Sequence, residues 1–383
     1  MSNTQVMSGL LSKINSIPNP CFVLDEFLFE RNMKLLKRVE QESGASVLCA
    51  LKGFAMWEVF PLAMDYISGG TASSLNEVKL INEKMNRKAH ACFVVYEQEE
   101  FNEVNKLSSH VTFNSISQFE KFKSILIKDV QYAFRINPEF SNVAFNQYNP
   151  CTPGSRFGIT KEMLKSKLPD QIYGLHFHTL CESSAEDFEE ALIKIEENFG
   201  DYLHQVSWVN FGGGHHITKD GYAIDLLIKL LKRVRDKYNV DVYIEPGEAI
   251  GLNAGYLTSK VEDVVKVNGI NTAVLNVSFA AHMPDCLEMP YKPNVVSEVE
   301  SGLYKYNLGG NTCMSGDFVS GFSFDKELKE GDLIVFEDMA HYTFVKTNFF
   351  NGVNHPSIGI WTKNKEFKLL RQFGYEDFKE RLS

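Results

Sequence analysis

Ser46-Val47-Leu48-Cys49-Ala50-Leu51-Lys52 is an apolar run closed by a cation, and its reading decides the fold. A continuous apolar segment without polar alternation suits a strand buried on both faces, the pattern of a parallel sheet covered by helices. A lysine at the end of such a strand sets its amine at one rim of the sheet. Working outward, similar short runs recur at 45–51, 64–68, 89–95, 110–114, 131–136, 172–177, 206–211 and 240–245. Between most of them lie stretches with apolar residues three or four apart, as in Ser74–Met85, Ala185–Phe199 and Tyr222–Tyr238. Strands alternating with helices pair in parallel through right-handed crossovers. Eight such units predict an α/β fold, a (β/α)8 TIM barrel, over residues 26–255.

Beyond residue 255 strand-like segments follow one another without helices: Tyr256–Val267, Ala273–Ser278, Leu303–Leu308, Asp332–Glu337, Tyr342–Val345 and Ile358–Trp361. They predict a second, all-β domain. The early run Cys21–Asp25 precedes the first helix, at 27–42, and has no place in an eight-strand count. It is therefore assigned with residues 1–25 to the same β domain as 256–383.

Composition narrows the partners. With 39 basic against 49 acidic residues the net charge is −10, which disfavours nucleic acid and anionic membrane and suits a small cationic substrate. Seven cysteines without a CxxC pair suggest neither a disulfide framework nor a zinc cluster, so no metal is expected and reduced thiols are. The start, MSNTQVMSGL, lacks the charged-then-apolar order of an export signal, and no run of about 18 apolar residues occurs; cytoplasmic residence is the expectation.

On a barrel the rim collects Lys52 after the first strand, Arg135 at the fifth, His178 after the sixth, Gly212–Gly214 after the seventh and Glu245 after the eighth. A lysine amine can condense with an aldehyde cofactor, and desolvation lowers its pKa toward nucleophilicity. Pyridoxal 5'-phosphate fits the remainder: an imidazole to stack on the pyridine, a carboxylate to hold its nitrogen protonated, and glycines to bring backbone near a phosphate. Taken singly, each residue has a plainer reading. A strand-end lysine is commonly a solvated charge, and a glycine triplet a tight turn.

In this order the residues resemble the fold-type III pyridoxal-phosphate decarboxylases, which include ornithine, diaminopimelate and carboxynorspermidine enzymes. The resemblance covers nearly the whole chain. It implies that Lys52, in Ala50-Leu51-Lys52, carries the cofactor, and that His178, in Gly174-Leu175-His176-Phe177-His178, stacks on it. Phe211-Gly212-Gly213-Gly214 and Glu245-Pro246-Gly247 match the family's glycine-rich and E-P-G segments, which implicates Gly213, Gly214 and Gly247 and puts Glu245 on the pyridine nitrogen. Phe134-Arg135-Ile136-Asn137 resembles the segment whose arginine lies beside the cofactor. Cys313, in Asn311-Thr312-Cys313-Met314-Ser315-Gly316-Asp317, matches the cysteine that enters the partner subunit's site and protonates the carbanion after carbon dioxide leaves, which implies a homodimer with shared active sites. Tyr342, in His341-Tyr342-Thr343, resembles the tyrosine that contacts the phosphate.

Departures from the family bear on the substrate. Ornithine and diaminopimelate enzymes follow E-P-G with arginine, whereas Glu248 stands here; their cysteine precedes an acid, whereas Met314 stands here. The segment Asp285-Cys286-Leu287-Glu288-Met289-Pro290 lacks the arginine that holds a distal carboxylate. The E-P-G-E pattern resembles carboxynorspermidine/carboxyspermidine decarboxylases of polyamine biosynthesis, with Glu248 and Asp285 as expected contacts for substrate amines. The plainer reading of those two acids is a surface salt bridge or a turn. Competing functions are a decarboxylase of the diaminopimelate, ornithine or arginine type, a racemase on the same architecture, and a non-catalytic pyridoxal-phosphate carrier. A metal-dependent hydrolase built on His176-Phe177-His178 and His215-His216 would leave Lys52 idle.

Overall fold

The computed structural model describes residues 13–143 and 148–383. It divides into two compact units, one spanning Asn32–Ile250 and the other the described residues up to Arg31 together with Gly251–Ser383.

In the first unit eight parallel strands close into a barrel: Ser46–Ala50, Gly69–Ala72, Ala89–Cys92, Ser108–Phe113, Gln131–Ile136, Ile172–Phe177, Trp208–Asn210 and Asp241–Ile244. Closure pairs the last strand with the first, Ser46 opposite Tyr243 and Val47 opposite Ile244. Seven strands fall on the apolar runs that predict them; the second does not. Residues 64–68 instead continue the short helix Phe60–Ala63 in turns, the N–H groups of Tyr66 and Ile67 both donating to the Ala63 carbonyl. The strand follows as Gly69-Gly70-Thr71-Ala72, whose small side chains carry almost no apolar signal.

The covering helices follow their sequence signals. Ala185–Leu203 opens on a capping box in which Ser184 Oγ accepts from the Asp187 N–H at 3.2 Å and Asp187 Oδ2 accepts from the Ser184 N–H at 2.8 Å. It buries Phe188, Leu192, Ile195 and Phe199, one stripe along its length. The expected helix Ser74–Met85 is α-helical only over Leu75–Leu80 and widens to a π-turn at Ile81–Met85. Inside the barrel His90 and His110 stack with ring centres 3.8 Å apart, flanked by Trp208 and Tyr243. Burial holds both imidazoles below their ordinary pKa, His110 at about 4, so this layer behaves as neutral aromatic packing. Gly174 is shaped by it: a Cβ there would lie 2.1 Å from the Trp208 ring.

In the second unit Cys21–Asp25 sits between antiparallel Gly255–Val267 and parallel Ser357–Trp361. Gly255–Val267 also pairs with Ile270–Leu275 and Leu333–Glu337, and the sheet continues through Tyr304–Gly309. Phe22, Leu257, Phe279, Phe322 and Phe336 form its core. Two strands escaped sequence reading: Phe318–Phe324, interrupted by Gly321 at φ 91°, and Phe367–Arg371, half-exposed along its length. Tyr342–Val345, expected as a strand, lies in the helix Tyr342–Lys346, where the Val345 N–H donates to the His341 carbonyl. A four-residue run carries too little periodicity to separate the two states. Among the described residues no helix is long and apolar enough to cross a membrane.

Gly174→Ala should lower unfolding free energy by about 1–3 kcal/mol, since the methyl must displace the Trp208 ring from a packed barrel interior. Denaturant midpoints check this; an unchanged midpoint would show that the ring has room to move.

Candidate active site

Lys52 follows the first barrel strand, and backbone contacts fix where that strand ends. The Ala50 N–H donates to the Pro246 carbonyl at 3.0 Å and the Leu51 N–H to the Thr71 carbonyl at 3.2 Å. Gly53 packs so tightly on the segment after the last strand that a Cβ would come within 2.7 Å of Gly247 Cα. The Lys52 side chain keeps solvent access, so its amine lines an open mouth, yet protein surrounds it on most sides. Burial, and then the Arg135 charge, push its pKa below the usual lysine value; Glu245, Cys92 and Cys181 oppose them.

Glu245 ends the last strand, 7% exposed, and three strands grip it. His176 Nε2 lies 3.1 Å from Glu245 Oε2, Asn210 Nδ2 donates to Oε1 at 2.7 Å, and the Thr71 side chain adds a third hydrogen bond. Burial opposes ionisation, but His176 and these hydrogen bonds hold the carboxyl below its ordinary pKa. The imidazole responds in kind: against burial, its neighbours Cys92 and Glu245 raise His176 to about 10. The carboxyl and the imidazole facing it are thus each pushed toward the charged form.

His178, two residues on, has the opposite character. The Gly213 N–H donates to its Nδ1 at 3.1 Å, leaving Nε2 to carry the ring proton. Burial, with the Lys52 and Arg135 cations, holds it well below the ordinary histidine value, so the ring is neutral. The glycines here are required by space and backbone: Gly212 has φ 68° and Gly214 φ 87°, and a Cβ on either would meet His178 Nδ1 at 2.6 Å or the Leu180 carbonyl at 2.2 Å. Arg135, paired in register with His176, lays its guanidinium over the Phe157 ring at 4.4 Å.

The barrel thus brings together Lys52, Arg135, His178, Gly213, Gly214, Glu245 and Gly247. Glu248 begins the short helix Glu248–Gly251, its Oε1 3.0 Å from His216 Nε2. With Glu182 these groups form a cluster whose ligating atoms all lie within 4.8 Å of one another. The remaining expected residues belong to the β unit. Asp285 pairs with Lys346 at 2.5 Å, and Lys346 also pairs with Glu288. Cys313 is exposed on the loop before Phe318–Phe324, its N–H donating to Asn351 Oδ1 at 2.7 Å. Tyr342 opens the helix already described.

Sequence reading passed over Thr71, Cys92, Cys181, Glu182 and Asn210, and assigned His176 and His216 only to the metal alternative. For His176 a signal existed: Gly174, His176 and His178 alternate along one strand and so share its inward face. No such signal marks Thr71, which lies in the strand the apolar pattern missed.

The set fits pyridoxal phosphate on its own chemistry. A depressed amine can hold the aldehyde, a neutral imidazole can stack, an ionised carboxylate can bind a protonated pyridine nitrogen, and a three-glycine turn leaves room for a phosphate. Neither His176 nor His178 belongs to the group of side chains spaced to hold a metal among the described residues, which is Glu182, His216 and Glu248.

Comparison with known proteins agrees. Residues 21–340 match the family model described as pyridoxal-dependent decarboxylase, C-terminal sheet domain. The chain is 42% identical to carboxyaminopropylagmatine decarboxylase of Synechocystis, over 97% of each chain. It is 41% identical to carboxynorspermidine/carboxyspermidine decarboxylase of Campylobacter jejuni, over 94% of this chain and 98% of that one. The crystal structure of carboxynorspermidine decarboxylase complexed with norspermidine from Campylobacter jejuni superposes with a TM-score of 0.89 at 39% identity, covering 95% of this chain and 100% of the other. The chain belongs to the pyridoxal-dependent decarboxylases and uses pyridoxal phosphate to remove carbon dioxide from its substrate.

Proposed function

We propose that the substrate is carboxynorspermidine or carboxyspermidine and the product norspermidine or spermidine, formed in the cytoplasm by a homodimer with shared active sites. Near full-length identity to the Campylobacter jejuni carboxynorspermidine/carboxyspermidine enzyme, with a matching fold, carries this reading. Glu248 in place of the family's arginine supports it from the chemistry, because with Glu182 it offers anionic acceptors where ammonium groups need them. The chain's negative balance and seven free thiols suit a cationic substrate and a reducing compartment. Carboxyaminopropylagmatine is the competing substrate, favoured by the comparable identity to the Synechocystis enzyme; its guanidinium would ask for a planar, bidentate acceptor.

In this reading Lys52 would hold the cofactor's aldehyde, a role its lowered pKa favours by leaving the amine a nucleophile. When bound, pyridoxal phosphate supplies an electron sink for the pair released as the Cα–carboxylate bond breaks. Glu245 would hold a proton at the ring nitrogen, and His178, held toward its neutral form, would bind beside the ring without adding charge. Arg135, Gly213, Gly214, Gly247 and Tyr342 hold the ring and phosphate in place. Cys313 of the opposite protomer gives a proton to Cα once carbon dioxide has left. Glu248 and Asp285 bind the distal amines; for Asp285 the substrate must share an acceptor already engaged by Lys346.

Glu248→Gln should raise KM for the preferred precursor about 10- to 100-fold while cofactor stays bound, the scale of one lost charge-assisted hydrogen bond. Steady-state kinetics on purified holoenzyme with all three precursors checks this and ranks the substrates. Lys52→Ala and Cys313→Ala should each be inactive alone. Mixed after dissociation, they should recover about a quarter of wild-type activity, because half the dimers then hold one site with both groups intact. No recovery from mixed dimers would place Lys52 and Cys313 in the same protomer's site or rule out the cysteine.

A further inference from the structure

The roles assigned so far leave His176 unused, although it is the residue most firmly tied to Glu245. It is 2% exposed and its Nε2 lies 3.1 Å from Glu245 Oε2, with Cys92 near enough to act on its charge. The charged and titratable groups around it come from three places: Cys92 and His90 on the strand Ala89–Cys92, His178 just past the end of its own strand, and Glu245 after the last one. The Cys92 thiol and the Glu245 carboxyl both favour charge on the ring, and Glu245 is the carboxylate in direct contact with it. The same carboxylate is held from its other side by Asn210 Nδ2 at 2.7 Å.

A carboxyl group buried without a cation takes up a proton, because a lone charge costs too much in a protein interior. A protonated carboxyl donates rather than accepts, and would not hold a proton on a pyridine nitrogen. Free rotation would be equally damaging, since the acceptor lone pairs would then point in no fixed direction. Contact from His176 and Asn210 on separate oxygens removes both problems.

We propose that His176 is a positioning residue for the decarboxylation: its hydrogen bond keeps Glu245 ionised and in one orientation, ready to bind the protonated ring nitrogen of pyridoxal phosphate. Asn210 and Thr71 complete the grip, but they are neutral and cannot compensate the charge. The claim depends on the cofactor and not on which polyamine precursor is decarboxylated.

The test uses no substrate, so a wrong substrate assignment cannot disturb it. Cofactor affinity and the visible absorbance of bound cofactor would be measured for wild type, His176→Phe and His176→Gln, with thermal melting as the check on folding. The phenylalanine variant should bind pyridoxal phosphate about 10- to 100-fold more weakly with a shifted absorbance band, the scale of one buried hydrogen bond to a charge. Glutamine, which restores a donor but no charge, should recover the orientation of Glu245 and only part of the affinity. A folded phenylalanine variant with unchanged affinity and spectrum would overturn the proposal. Should that variant fail to fold, histidine ¹⁵N resonances of the wild-type apoprotein decide: protons on both His176 nitrogens at neutral pH support the ion pair, and a neutral ring overturns it.

Discussion

Everything in the barrel unit rests on closure between its first and last strands. Pairing of Ser46 and Val47 with Tyr243 and Ile244 brings Lys52 and Glu245 from distant parts of the chain to one mouth, and the Gly53–Gly247 contact leaves no space for side chains between the two segments. In the proposed reading the lysine is the point of covalent attachment and the carboxylate the point of electronic control; without closure they would not face one cofactor.

Electrostatics then separates groups that begin alike. Two histidines at the end of one strand, His176 and His178, are pushed in opposite directions: Cys92 and Glu245 raise the first against burial, while burial and the Lys52 and Arg135 cations lower the second. Lys52 is driven toward its neutral form while Glu245 stays ionised, both against the ordinary preferences of exposed side chains. Neighbours that push pKa values apart are what assign acid, base and stacking roles within one small space.

Much of this was legible in the sequence, and the gaps have physical causes. Buried parallel strands are continuous apolar runs, so seven of the eight barrel strands and the residues at their ends could be read directly. Gly69–Ala72 could not, because its inward packing is done by small side chains; Thr71 was lost with it. Asn210 and Glu182 are polar residues in short segments whose importance exists only once three strands converge. In the β unit Tyr342 was read as strand and forms helix, while half-exposed Phe367–Arg371 gave no clear alternation. Glu248 and Asp285 were singled out together for the same reason, yet one lies in an acidic cluster with His216 and the other is engaged by Lys346, a difference of surroundings that spacing does not encode.

The attachment point is the claim on which the others depend. Borohydride reduction of the holoenzyme followed by peptide mass spectrometry measures it directly, since reduction locks the cofactor onto whichever amine holds it. The account predicts a pyridoxyl-phosphate adduct on the peptide containing Lys52 and on no other lysine. An adduct at a different lysine, or none from a holoenzyme that retains its cofactor, would contradict it.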